Sequence, residues 1–136
     1  MNREIELPAR VSELPVLQDA VGEMLKEKNC SGKVTGQIQV SGEEIFVNIA
    51  SYAYGPEGGK VRIRFGMPED GRDFSITFMD WGRPFNPLER DDPDVALSAG
   101  SRQIGGLGIF QTKKLMYQAA YEYRDGANVL TLRKRI

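Results

Sequence analysis

Histidine is absent from the 136-residue chain, and cysteine occurs once, at Cys30. These shortages exclude a disulfide framework, a His/Cys zinc site, Ser-His or Cys-His nucleophilic catalysis and any phosphohistidine mechanism. Long apolar runs are also missing: nothing approaches the roughly 20 residues needed to span a bilayer. The N-terminus opens on Arg3, Glu4 and Glu6 rather than on a basic cap and an apolar stretch, so the chain reads as cytoplasmic. Charge of one sign is lacking too. Eighteen Lys and Arg face 19 Asp and Glu, for a formal net charge of -1, so no whole-molecule field draws the protein to nucleic acid or an anionic membrane. Neither a Walker A loop nor a Gly-x-Gly-x-x-Gly after a strand is present.

What remains is 40% hydrophobic and 27% charged, the composition of one compact domain over residues 1–136. Glu4, Ile5, Glu6 and Leu7 alternate before Pro8 and predict a short strand at a sheet edge. From Ser12 to Lys28, Leu14, Leu17, Ala20, Val21, Met24 and Leu25 recur at helical spacing, with Ser12 placed to cap and Pro15 in the first turn. The next stretch is ambiguous. Val34, Ile38 and Val40 alternate as in a strand, whereas Ser41 and Glu44 form a capping-box pattern for a helix from near Gly42 to Tyr54.

Val61, Ile63 and Phe65, then Phe74, Ile76 and Phe78, alternate with polar residues across a turn-rich gap and predict an antiparallel hairpin. Residues 86–104 carry prolines, glycine and charges without a sustained period, the composition of a functional loop or lid. A helix from Leu107 to about Gln118 follows. Strands Ala119–Arg124 and Asn128–Arg133 then meet at Asp125-Gly126, a strong hairpin dipeptide. The sum is an α+β two-layer sandwich, with a mixed, mostly antiparallel sheet and three helices on one face.

Three features carry chemistry. Glu44 and Asn48 are four apart and share a helix face, extended by Gln37, Ser41 and Ser51; a solvated face carries such a stripe as readily as a ligand site does. Asp80 continues the inward alternation of Phe74, Ile76 and Phe78, and an inward carboxylate requires a donor. Gly82 and Pro84 follow in a bend open to a planar ligand, although a local turn cap would also occupy Asp80. Gly105, Gly106 and Gly108 precede a predicted helix start that suits phosphate, or simply form a flexible helix entry.

In combination Glu44-x-x-x-Asn48, Asp80-Trp81-Gly82-Arg83-Pro84-Phe85 and Gly105-Gly106-Leu107-Gly108 resemble the N, G1 and G2 boxes of the Bergerat-fold, histidine kinase-like ATPases. Asn48 to Tyr54, Phe85 to Arg90 and the hairpin Tyr123 to Leu132 resemble the branch of bacterial anti-sigma factor serine kinases, and the likeness covers nearly the whole chain. The resemblance implies ATP and Mg²⁺ as cofactors. It implies Asn48 on the metal, Glu44 as general base, Asp80 on the adenine amino group, Gly82 and Pro84 at the base, and Gly105, Gly106, Leu107 and Gly108 around the phosphates. Arg102 resembles a lid arginine reaching the γ-phosphate, and Thr131 a sheet threonine contacting adenine through water.

The resemblance further implies a helix beginning before Gly42, a sigma factor and a STAS-domain anti-sigma antagonist as partners, and pairing of two copies through their sheets. The leading function is therefore a kinase that sequesters a sigma factor and phosphorylates a serine of the antagonist; the alternative is an ATP-dependent regulatory binding module without phosphoryl transfer. Tyr52 and Tyr117 depart from the branch pattern, where histidine and aspartate are usual, which leaves partner choice open.

Overall fold

The computed structural model describes residues 2–68, 71–89, 112, 115–116 and 118–136. Strand β1 (Asn2–Pro8) leads through a 3-10 turn (Val11–Glu13) into helix α1 (Leu14–Glu27) and helix α2 (Gly32–Tyr52). Strands β2 (Lys60–Gly66) and β3 (Asp73–Asp80), a 3-10 turn (Pro87–Glu89), and strands β4 (Gln118–Arg124) and β5 (Ala127–Arg135) follow. The five strands form one sheet in the order β1-β2-β3-β5-β4, antiparallel at every pairing. β1 lies at an edge, as its Pro8 requires.

The two-layer α+β architecture agrees with the expectation, with fewer helices in view. Of the expected third helix, Thr112 and Leu115 are helical and the Met116 amide donates to the Thr112 carbonyl at 3.0 Å, but Gln118 already belongs to β4. Among the described residues no helix is long and apolar enough to cross a membrane.

The helix layer corrects the expected cap of α1 and bears out the helix that the resemblance starts before Gly42. Ser12 does not cap α1: it sits inside the preceding 3-10 turn, and Glu13 occupies the cap position with no side-chain hydrogen bond. α2 starts at Gly32, ten residues before Gly42, because the Ser31 hydroxyl accepts from the Val34 amide at 3.2 Å. The misleading alternation arises from Val40, which is 46% exposed, whereas Ile38, Ser41, Ile45 and Asn48 follow the helical period along the buried face. Between the helices Asn29 adopts φ 56°, and the Cys30 amide returns to the Leu25 carbonyl at 3.0 Å, which ends α1 and reverses the chain.

Strand alternation then places the core. Val61, Ile63, Phe65, Phe74, Ile76, Phe78, Leu130 and Leu132 face the helices and are buried with Leu17, Leu25, Ile38, Ile45 and Phe46. The opposite face is polar at its β1–β2 end, where Arg62 pairs with Glu4 and Glu6 at 3.3 Å and Arg64 with Glu4 at 3.4 Å. Asp125 and Gly126 have φ 53° and 80°, so the β4–β5 hairpin turns through two left-handed residues as its dipeptide predicts.

Candidate functional site

The C-terminal half of α2, the end of β3 and the start of β5 surround a cleft with a cavity volume of about 40 Å³. Asn48, Asp80, Arg83, Phe85, Tyr121 and Asn128 are among its lining residues, over a floor that includes Ile45, Phe78 and Leu130. The expected Asn48 and Asp80, separated by 32 positions in the chain, thus open into one hollow.

Asp80 is 5% exposed and points inward, as the alternation of β3 requires. Its Oδ1 accepts from the Gly82 amide at 3.0 Å and from Asn128 Nδ2 at 2.9 Å. Among the described residues no donor reaches Oδ2, so the local turn cap and an open acceptor coexist in one carboxylate. Burial raises the Asp80 pKa above the ordinary aspartate value, against the lowering effect of the Asn128 and Gly82 hydrogen bonds.

Asn48 is 8% exposed, so the Glu44–Asn48 pair is not a solvated stripe. Asn48 Nδ2 donates to Glu44 Oε1 and to the Glu44 carbonyl, both at 3.1 Å. This fixes the amide with Oδ1 turned the other way, buried and without a partner among the described residues. A buried oxygen with no donor is costly in isolation and is suited to a cation. Glu44 is half-buried outside the cleft lining, and burial, then the neighbouring Glu43 charge, raises its pKa, while the Asn48 hydrogen bond lowers it.

Gly82 has a steric reason. A Cβ there would stand 2.1 Å from the Ala53 carbonyl oxygen, where the chain leaving β3 presses on the end of α2, and the next amide, Arg83, donates to that same oxygen at 3.1 Å. Tyr54 reinforces the junction: its hydroxyl accepts from the Trp81 amide at 2.8 Å and donates to the Lys60 carbonyl at 2.6 Å. Gly82→Ala is expected to lower folding stability by about 3 kcal/mol through overpacking. A denaturant midpoint equal to that of the native chain would contradict this.

Pro84 is exposed and outside the cleft lining; its neighbours Arg83 and Phe85 line the cleft instead. Thr131 requires a correction. It lies between the inward Leu130 and Leu132, so its side chain is on the other face of the sheet, where its hydroxyl is 3.1 Å from that of Thr77. It cannot reach the cleft. Asn128 takes the place beside Asp80, and the same alternation, read back from Leu132 through Leu130, would have found it. Arg102, Gly105, Gly106, Leu107, Gly108, Tyr117 and positions 90–104 of the expected lid lie outside the described residues.

The buried Asn48 on its helix and the buried Asp80 at the end of the central strand face one cleft between helix layer and sheet, the arrangement the resemblance implies for an ATPase domain. The chain belongs to the histidine kinase-like ATPase domain family, which it matches over residues 7–134. It is 29% identical over 102 residues, 75% of this chain and 71% of the other, to the serine/threonine-protein kinase BtrW of Bordetella bronchiseptica. Its fold matches the crystal structure of the RsbU and RsbW domains of Rv1364c from Mycobacterium tuberculosis with a TM-score of 0.70 at 17% identity, covering 99% of this chain and 32% of that one. The histidine kinase domain of the blue-light activated kinase EL346 from Erythrobacter litoralis matches with a TM-score of 0.56 at 14% identity, over 95% of this chain and 61% of that one. The chain thus spans about a third of the mycobacterial two-domain chain and under two thirds of the light-activated kinase's histidine kinase domain.

Proposed function

We propose that the protein is an ATP-dependent serine kinase of the anti-sigma factor type, which binds a sigma factor and transfers the γ-phosphoryl group of ATP to a serine of a STAS-domain antagonist. The observation that carries this reading is the pairing in one cleft of an acceptor-only Asp80 Oδ2 with an unpartnered Asn48 Oδ1. The first matches the amino group of adenine and the second a hard cation.

Magnesium fits the residues present. Among the described residues no group of three or more Cys, Asp or Glu converges as a cage. Asn48 would therefore supply one ligand while phosphate oxygens and water supply the rest, the usual division for Mg²⁺ at a nucleotide site. When bound, the ion neutralises phosphate charge. Glu44 holds Asn48 through its Oε1 and, with its raised pKa, serves as the base that takes the proton of the accepting serine hydroxyl. Gly105, Gly106, Leu107 and Gly108 would cradle the phosphates, and Arg102 on a lid spanning about 86–104 would meet the γ-phosphate.

The second reading, an ATP-dependent binding module without transfer, is favoured by Glu44 lying outside the cleft lining. The two separate in one assay. Incubation of the chain with MgATP and a STAS-domain antagonist, followed by mass spectrometry of the antagonist, yields a phosphoserine under the kinase reading. An unmodified antagonist beside demonstrable ATP binding leaves the binding module.

A further inference from the structure

Asn128 is the most heavily engaged side chain at the cleft, and the proposed reaction assigns it no role. Its Oδ1 accepts from the Phe85 amide at 3.1 Å and from the Tyr121 hydroxyl, while its Nδ2 donates to Asp80 Oδ1 and to the Arg83 carbonyl, both at 2.9 Å. The orientation of the amide is determined by chemistry: the Phe85 N–H can only donate and the Arg83 carbonyl can only accept, so the side chain cannot be flipped. It is 6% exposed, and every hydrogen-bonding position of the amide is used.

Three consequences follow. Strand β5, the loop 83–85 and, through Tyr121, strand β4 are tied to a single carboxylate. Both donors to Asp80, from Asn128 and Gly82, arrive at Oδ1. The rotation of the carboxyl group is thereby fixed, and Oδ2 is the oxygen left to accept from a ligand. A hydrogen bond to a fixed acceptor discriminates between ligands with and without the matching donor far better than one to a rotating group, because the mismatched ligand leaves a buried charge unpaired.

The geometry points to Asn128, oriented by Tyr121, as a positioning residue for base selectivity: it holds Asp80 so that the cleft prefers a purine bearing an exocyclic amino donor over one lacking it. This rests on the reading of the cleft as an adenine nucleotide site. Asn128 acts through Asp80, so its removal is expected to affect selectivity for the amino group rather than binding of the rest of the nucleotide.

The test compares MgATP with purine riboside triphosphate, which differs by the absence of the 6-amino group, on the native chain, Asn128→Leu and Tyr121→Phe, by calorimetric titration with thermal melts alongside. The native chain is expected to prefer ATP. Asn128→Leu is expected to weaken ATP about tenfold while leaving the affinity for the deaminated analogue within about twofold, so that the preference collapses. Tyr121→Phe, which removes one donor from a half-buried ring and leaves the backbone contacts, is expected to weaken ATP about threefold while leaving the affinity for the analogue unchanged, and it decides the matter if Asn128→Leu does not fold. Equal weakening of both nucleotides would reduce Asn128 to a loop tie and overturn the inference, as would unchanged affinities. A native chain that binds neither nucleotide removes the adenine reading itself, which distinguishes that failure from the loss of this one.

Discussion

Asp80→Asn is expected to weaken MgATP binding severely, while leaving the fold at least as stable. The carboxylate offers the cleft an ionised acceptor at Oδ2. An amide in its place either presents an NH₂ to the adenine amino group or gives up the charge-assisted part of the bond. The cost of about 2–4 kcal/mol corresponds to roughly 30- to 1,000-fold in affinity. The stability effect has the opposite sign.

Burial raises the pKa of Asp80, so this group contributes stability below its unfolded pKa and loses that contribution as pH rises through its folded pKa. At pH 7 the ionised form is the less stable one, and asparagine removes the burden. The variant should melt at or above the native temperature at pH 7, and its lead should shrink as pH falls toward the ordinary aspartate range near about 4. Undiminished binding would dissociate Asp80 from the nucleotide. A lowered melting temperature at pH 7 would contradict the electrostatic account of the buried carboxyl.

Glu44→Gln separates chemistry from binding. Glutamine keeps the volume and an oxygen to accept from Asn48 Nδ2, now 3.1 Å from Glu44 Oε1, so the amide of Asn48 stays oriented. It cannot take a proton. Loss of a positioned general base is expected to slow phosphoryl transfer about 10²- to 10⁴-fold, with ATP affinity within a few-fold because Glu44 is outside the cleft lining. In the native protein, transfer should decline as pH falls through a pKa above the ordinary glutamate value of about 4.3, because burial and Glu43 both raise it. Glu43→Gln removes the second cause and should move that limb toward lower pH. Full transfer by Glu44→Gln would exclude Glu44 as the base, and an unchanged regulatory effect without transfer in either protein would favour the binding module.

Much of this arrangement follows from periodicity. The two-residue period of Phe74, Ile76 and Phe78 was sufficient to place Asp80 inward, and the paired left-handed residues Asp125 and Gly126 needed only their dipeptide. The period failed where two patterns overlap. Val34, Ile38 and Val40 satisfy strand alternation by chance of spacing, but tertiary burial selects Ile38 for the core and leaves Val40 in solvent. Ser31, whose hydroxyl caps the helix, outweighs the capping-box pattern at Ser41 and Glu44, which sits within the helix it was expected to begin.

Thr131 and Asn128 teach the same lesson at the site. Resemblance pointed to the threonine, yet its odd position between two core leucines put it on the far face, and the rule that located Asp80 locates Asn128 equally well. Gly82 was legible as a bend but its cause was not: the close approach of the Ala53 carbonyl is a tertiary contact between segments 29 positions apart. The orphaned Oδ1 of Asn48 likewise depends on which way its amide is held, a fact set by Glu44 that no spacing argument supplies.

The most direct test of the central claim is calorimetric titration of the native chain with ATP in the presence and absence of Mg²⁺, repeated for Asp80→Asn and Asn48→Ala. The account predicts Mg²⁺-enhanced binding by the native chain, severely weakened binding in Asp80→Asn and loss of the Mg²⁺ enhancement in Asn48→Ala. Absence of binding by the folded native chain, or binding indifferent to both substitutions, would contradict it.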